Sequence, residues 1–258
     1  MSRDTSRLKS PFGGRFVISV LPGLVLVGIL WQILHLALKT SALPSPIETL
    51  VALVDLARRD LFSHLAASLA RVLAATAIQI IAGTGIGIAL GSNRHTEFLL
   101  GSAVRVMHPA PKIAFLPLFM ILFGIGDLSK VLFVASVVIF QTIVSVRDGI
   151  AEIPKPLFLA ARSLGMKRAA LFQNLYIPSV MPRIFTSMRL GLGMGISALF
   201  FAENYATRKG AGYLIMNAYA MADYRTTFAG IVALSLLALI LFALVDVTEK
   251  KVCPWLRA

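Results

Sequence analysis

Four histidines, His35, His64, His95 and His108, are the side chains best suited to hold a metal or move a proton. They stand far apart, and none has a second ligand at metal-site spacing. Carboxylates are as scattered: Glu203, just past a long apolar run, and Asp246, at the end of the last one, are the acids nearest to hydrophobic depth. Cys253 is the single cysteine, which rules out an internal disulfide and a cysteine-built metal site; it reads as an ordinary free thiol. The GTGIG run from Gly83 to Gly87 has the glycines of a nucleotide-binding turn, but it sits inside an apolar stretch with no strand before it, so a dinucleotide site is rejected. The chain contains no G-x-x-x-x-G-K-[ST] phosphate loop either. These residue types point away from catalysis, metal binding and cofactor binding by this chain. If ATP drives it, a different polypeptide binds the nucleotide.

Ionisable groups close to apolar runs are costly and usually face a cavity or a partner. Arg189 and Glu203 are fourteen residues apart, about 21 Å along a helix, so they should lie near opposite ends of one span and cannot pair with each other. Arg189 is expected near the inner side, where its stem can snorkel. Glu203 and Asn204 are expected at the outer mouth, contacting a soluble partner or gating a vestibule. Pro109 and Pro111 interrupt the third apolar stretch, Lys112 follows at once, and Pro117 comes a turn and a half later. A helix broken in this way leaves backbone groups unpaired, so it should face protein or a water-filled path. Pro111, Lys112, Pro117, Arg189, Glu203 and Asn204 are therefore the candidates for a translocation path, with a simple packed proline kink as the alternative at the prolines.

The elements that would position these groups follow from composition. Of 258 residues, 57% are hydrophobic and only 14% charged, too few charges to coat a soluble domain. A membrane span needs about 20 mostly apolar residues, and six stretches qualify, near Phe16–Leu38, Val72–Leu90, Phe98–Phe123, Leu128–Val146, Arg183–Phe201 and Phe228–Val247. The runs are continuous and not alternating, which excludes a β-barrel. The expected fold is an all-α integral membrane protein of about six transmembrane helices. A basic tail, 1–15, precedes a single membrane domain, 16–258. The first stretch is too long for a signal peptide and lacks an A-x-A-type exit, so it reads as a retained helix. LPSP at Leu43–Pro46 sets an extended turn, and the residues from Ile47 alternate at helical spacing, as in an amphipathic helix on the outer surface. Gly83, Gly87 and Gly91 share one helical face, as do Gly191 and Gly195, and both sets predict close helix packing.

The net charge of +13 raises the possibility of nucleic acid, but the basic residues are spread through loops with no soluble domain to carry them. Positive-inside topology explains them better. With the amino terminus in the cytoplasm, the inner loops hold fourteen Lys and Arg against eight outside, the outer set including Arg71 and Lys130. Both termini are then cytoplasmic, and so is the segment LAARSLGMKRAALFQNLYIPSVMP at 159–182. Within the connection of about 150–182, Pro156 suits a helix's first turn, and Leu157, Ala160, Ala161 and Leu164 fall at i, i+3, i+4 and i+7. That stripe is narrow, and the alanines keep it flat enough to enter a groove, with Arg162 at its edge. Gly165 can end the helix in the left-handed conformation, a second short helix is expected over Lys167–Tyr176, and Pro178 and Pro182 mark re-entry. An ordinary basic connector is the rival reading of the same residues.

The segment resembles the cytoplasmic coupling ("EAA") loop of permease subunits from binding-protein-dependent, ATP-driven importers. Ala160, Ala161, Leu164, Gly165, Phe172, Ile177 and Pro178 match, while Leu159 stands where the family has Glu. LPSP at 43–46, HLAASLARV at 64–72, PKIAFLPLFMILFGIGDLSK at 111–130 and AENYATRKGAGYLI at 202–215 are similar to segments of the nitrate/sulfonate/taurine-type permeases. The resemblance implies a subunit in the bacterial inner membrane that pairs with a second copy. It also implies two cytoplasmic ATPase subunits carrying ATP and Mg²⁺, one on each coupling loop (Ala160, Ala161, Arg162, Leu164, Gly165, Phe172, Pro178). An extracytoplasmic solute-binding protein would deliver a small solute such as an aliphatic sulfonate, taurine or a nitrate-like anion. The rival function is a stand-alone ion-coupled secondary transporter, which should show midplane acids or inverted repeats with matched broken helices. The sequence has one acid near an edge and no evident repeat.

Overall fold

The computed structural model describes residues 16–205 and 207–257, so the basic tail at 1–15 lies outside the described residues. Eleven α-helices follow in order: α1 Phe16–Leu38, α2 Pro46–Ala57, α3 Leu61–Ser92, α4 Arg94–Met107, α5 Leu116–Phe123, α6 Asp127–Ala151, α7 Lys155–Ser163, α8 Arg168–Leu171, α9 Ile177–Glu203, α10 Ala211–Ala220 and α11 Tyr224–Val252. A 3₁₀ turn at Lys112–Phe115 precedes α5, and a π turn at Phe172–Tyr176 joins α8 to α9. Among the described residues the fold is all-α. Five helical runs are long and apolar enough to cross a membrane, and a sixth is counted if α4 and the Lys112–Phe123 helix, bent by 91° at their break, form one span.

Glycine spacing sets how α3 meets α6. A Cβ on Gly83 would lie 2.9 Å from Thr142 Cβ, one on Gly87 2.7 Å from Val146 Cβ, and one on Gly91 2.7 Å from Ile150 Cβ. Both members of each pair advance by four, so the two helices run parallel with their backbones nearly touching. Parallel neighbours have a topological consequence. The chain leaves α3 at one end of the molecule and enters α6 at the other, so residues 93–126 must traverse the full thickness between them. The bent pair α4–α5 connects those two ends, which makes six candidate crossings among the described residues.

The third stretch is not the single span Phe98–Phe123 that hydropathy predicts. It is two pieces, because Pro109 and Pro111 supply no backbone N–H and disfavour helix in the residues before them. The last span is longer than predicted, starting at Tyr224, where Asp223 caps it by accepting the Thr226 N–H at 3.1 Å.

Helix α9 runs antiparallel to α3: Ser187 and Gly191 meet Gln79, and Glu203 meets Ser68 and Arg71. The core lies among α3, α6, α9 and α11, built from Val72, Ala75, Phe133, Val134, Leu192, Leu199, Leu241 and Val245, with Leu116 entering from α5. A smaller cluster, Ile88, Val146, Ile150, Val180 and Ile184, closes the end from which α7 emerges. A buried polar knot crosses the core where Gln79 Nε2 donates to Thr142 Oγ1 at 2.9 Å and to the Ser187 carbonyl at 3.2 Å. Gly191 leaves room for that glutamine, since a Cβ there would lie 2.4 Å from its Nε2.

Helix α1 buries none of Leu21–Leu38 and is peripheral, held where Trp31 Nε1 donates to the Pro44 carbonyl at 3.0 Å. The amphipathic helix expected from Ile47 is α2, which starts one residue earlier. Its capping box pairs Ser45 with Glu48, and the Ser45 N–H, reinforced by Arg225, holds the Glu48 carboxyl below its usual range. One face packs on α11, and the other leaves Ile47, Leu50, Val51 and Val54 uncovered, as a helix at a lipid interface would.

Candidate functional site

Helix α7 projects from the inner cluster as a short arm. Pro156 occupies its first turn, and the arm ends in a Schellman motif. Gly165 takes φ +71°, its N–H donates to the Arg162 carbonyl at 2.9 Å, and the Met166 N–H reaches the Ala161 carbonyl at 3.2 Å. The predicted stripe does not stay together. Ala161 turns inward and is buried, whereas Leu157 (54% exposed), Ala160 and Leu164 (77%) face outward with Leu159. Four small or apolar side chains in the open at the tip of an arm form a contact surface, not a core face. Arg162 is drawn over the Phe158 ring, 4.8 Å from its centroid, and Phe158 stacks on Tyr176.

The predicted second helix, Lys167–Tyr176, is a four-residue α8 that passes through the π turn directly into α9. Pro178 gives the physical reason: its ring clashes with the carbonyl four residues back, and the π turn re-pairs the Ile177 N–H with the Phe172 carbonyl. Pro182 lies inside α9 and does not mark a boundary. Phe172 remains exposed beside the arm.

The six path candidates are not gathered into one place. Pro111 and Lys112 line a recess of about 300 Å³ with His108, Ile113, Val137, Phe140, Gln141 and Met194. Pro117 lies in the first turn of α5 and is exposed. Arg189 is bound to α11: its Nε donates to Asp246 Oδ1 at 2.7 Å, and its Nη2 pairs with Glu249. It is thereby a strut between α9 and α11, where the sequence suggested a snorkelling or path-lining group.

Glu203 is 1% exposed, which leaves it no surface for a soluble partner or a vestibule. Its carboxylate accepts from Arg71 Nη1 at 2.6 Å, from Ser68 Oγ at 2.8 and 2.9 Å, and from the Gly212 N–H at 2.8 Å. The charge sits at the first turn of α10, where backbone N–H groups and the helix dipole favour an anion. The loop glycines exist for this carboxylate. Gly210 has φ +147°, and a Cβ on it would lie 2.4 Å from Glu203 Cδ; one on Gly212 would lie 2.7 Å from the Phe200 carbonyl. Arg71 also reaches the Lys209 carbonyl at 2.8 Å and Asp127 at 2.6 Å. Asn204 is half-buried, and its amide satisfies the carbonyls of Gly212 and Phe200, 3.1 Å from each, when it is assigned with the nitrogen facing them.

Sequence reasoning placed Arg71 and Lys130 in outer loops; both are buried, Lys130 with its ammonium on the Gly126 carbonyl at 3.2 Å. The signal that could have found them was spacing. Ser68 and Arg71 sit three apart on one helical face at the edge of an apolar run, aimed as a pair. Among the described residues no group of three His, Cys, Asp or Glu side chains could hold a metal.

Set beside known proteins, residues 81–253 match the family described as "Binding-protein-dependent transport system inner membrane component". The chain is 30% identical to the taurine transport system permease protein TauC of Escherichia coli (strain K12), covering 95% of this chain and 92% of that one. It is 32% identical to the putative aliphatic sulfonates transport permease protein SsuC of the same organism, over 94% of this chain and 93% of that one. The formylaminopyrimidine transport permease protein ThiX of Halalkalibacterium halodurans is 26% identical, over 88% and 91%.

Proposed function

The chain belongs to the family of inner-membrane components of binding-protein-dependent transport systems, a permease subunit of an ATP-binding-cassette importer, and on that premise we propose how it works. Two copies form the membrane channel, and each offers its α7 arm to one cytoplasmic ATPase subunit that carries ATP and Mg²⁺. A soluble binding protein delivers substrate at the opposite end, near α10. Both termini lie on the arm's side of the membrane. ATP-driven movement of the ATPases displaces the arm, and the π turn and α9 carry that displacement into the core.

The observation that supports this reading best is the arm itself. Leu157, Leu159, Leu164 and Phe172 stay exposed beside a rigid Schellman turn, a shape that needs a soluble partner to cover it. The names of relatives suggest a small sulfonate such as taurine as cargo, and selectivity would rest with the binding protein.

Co-purification tests the proposal. Gly165→Asp suits the purpose, because a side chain there meets nothing within 4 Å and Asp tolerates the left-handed region better than most residues. The variant changes the surface, and because a φ of +71° strains any side chain at this position, its fold is checked directly. An ATPase subunit should copurify with the wild-type chain in mild detergent and be lost from the variant, while the variant elutes and melts like wild type. Absence of any ATPase from the wild-type preparation would overturn the coupling proposal.

A further inference from the structure

The break between α4 and α5 places a cation where lipid-spanning helices are half crossed. Lys112 faces Phe140 and Gln141, the fourteenth and fifteenth of the 25 residues of α6, and Met194 from the central part of α9. No carboxylate pairs with it among the described residues. Its Nζ donates to the His108 carbonyl at 2.5 Å and lies 5.0 Å from the Phe140 ring centroid. An ammonium has three N–H groups, and these two contacts leave one for the recess. A charge at this depth is costly unless it is matched, and a carbonyl and a ring face match it only in part.

The second polar group is Gln141. Gln141 lines the same recess and is half-buried, and its side chain makes no hydrogen bond to any described residue. The remaining walls, Ile113, Val137, Phe140 and Met194, are apolar. One cation and one free amide on an apolar wall, around about 300 Å³, make a site with a charged end and a greasy end.

We propose that this recess binds the monovalent oxyanion group of a small organic anion on its way through the membrane. The oxyanion meets Lys112 Nζ and the Gln141 amide, and the short hydrocarbon part lies on Phe140 and Met194. The inference rests on the permease reading above and deepens it by giving this chain, and not only its binding protein, a preference for anions. The competing role for Lys112 is a plain C-terminal cap on α4, donating to the His108 carbonyl. Glutamine at 112 keeps an N–H for that carbonyl and removes the charge, so it separates the two roles.

The test is thermal unfolding of the full-length chain, purified in nanodiscs with whatever ATPase it retains, titrated with ethanesulfonate and with the uncharged ethyl methyl sulfone. Ligand bound only to the folded state raises the melting temperature saturably. Ethanesulfonate should stabilise wild type, with an affinity at least about tenfold weaker in Lys112→Gln and within about threefold of wild type in Lys112→Arg; the sulfone should do nothing. Gln141→Leu, which leaves the cap untouched, should weaken binding as well and serves as the second variant if Lys112→Gln does not fold. Equal stabilisation of wild type and Lys112→Gln, equal effects of the sulfone, or no saturable stabilisation of wild type would each overturn the site. Binding is read without turnover, so a failed co-purification sinks the coupling proposal alone, and a flat titration beside a retained ATPase sinks only this one.

Discussion

One arginine illustrates how burial decides what a salt bridge contributes. Arg71 makes two carboxylate contacts of the same length, 2.6 Å, but the Glu203 side chain is 1% exposed and the Asp127 side chain 74%. Removing Glu203 leaves the Gly212 N–H and the Ser68 hydroxyl buried without their acceptor and leaves Arg71 only the exposed Asp127 and the Lys209 carbonyl, a change that costs up to about 3–5 kcal/mol. Removing Asp127 breaks a solvated pair worth about 0–1 kcal/mol. Thermal unfolding in detergent should therefore show Glu203→Ala severely destabilised and Asp127→Ala within a few degrees of wild type. Equal losses would mean that the buried pair does not hold the α9–α10 turn. Apolar replacement of both Glu203 and Arg71 should not restore full stability, since the N–H of Gly212 and the hydroxyl of Ser68 would still lack an acceptor.

The elements are held by backbone approach more than by side-chain volume. Along α3 the glycines differ in what they face, and the difference is measurable. A Cβ on Gly87 would sit 2.7 Å from Val146 Cβ and 2.9 Å from the Ile143 carbonyl, whereas one on Gly85 meets nothing within 4 Å. Gly87→Ala should push α3 from α6 and cost about 1–3 kcal/mol, while Gly85→Ala should be neutral or gain up to about 1 kcal/mol from helix propensity. Melting temperatures of the two variants in the same detergent check this; a neutral Gly87→Ala would break the close-packing account. The glycine spacing was readable in the sequence because a four-residue period puts residues on one helical face. The partner residues Thr142, Val146 and Ile150 were not readable, because nothing local to α3 names the helix it meets.

At the scale of the molecule, the proposed topology has six crossings, with both termini on the side of the α7 arm and the connection from α9 to α10 on the other. Cysteine labelling with a membrane-impermeant reagent reads this directly. Cys253 is 1% exposed and burial pushes its thiol pKa up, so it should stay silent in the background. Arg208→Cys, in the exposed loop, should label in intact spheroplasts, and Ser163→Cys, on the exposed side of the arm, only after permeabilisation. The reverse pattern would invert the topology and remove the arm from reach of a cytoplasmic ATPase. The same experiment tests the crossing count, since with a cytoplasmic amino terminus a bent α4–α5 that failed to span would exchange the two sites, Ser163→Cys labelling from outside and Arg208→Cys only after permeabilisation.

Hydropathy, glycine period and proline placement by themselves determined the all-α membrane class, the helical runs, the break after His108 and the arm that ends at Gly165. Those properties are set by neighbours in the chain, and a span, a turn or a cap is a local matter of apolar length and backbone freedom. Only the tertiary structure decided which charges are struts and which face open space. Glu203, at the edge of its span in sequence, proved to be enclosed by Arg71, Ser68 and the glycines of a loop. Arg189 was tied to Asp246 and Glu249, and Lys112 was left without a counter-ion. The environment of a charge is made by residues distant in the chain, here 132 positions apart for Arg71 and Glu203, and no local pattern encodes it.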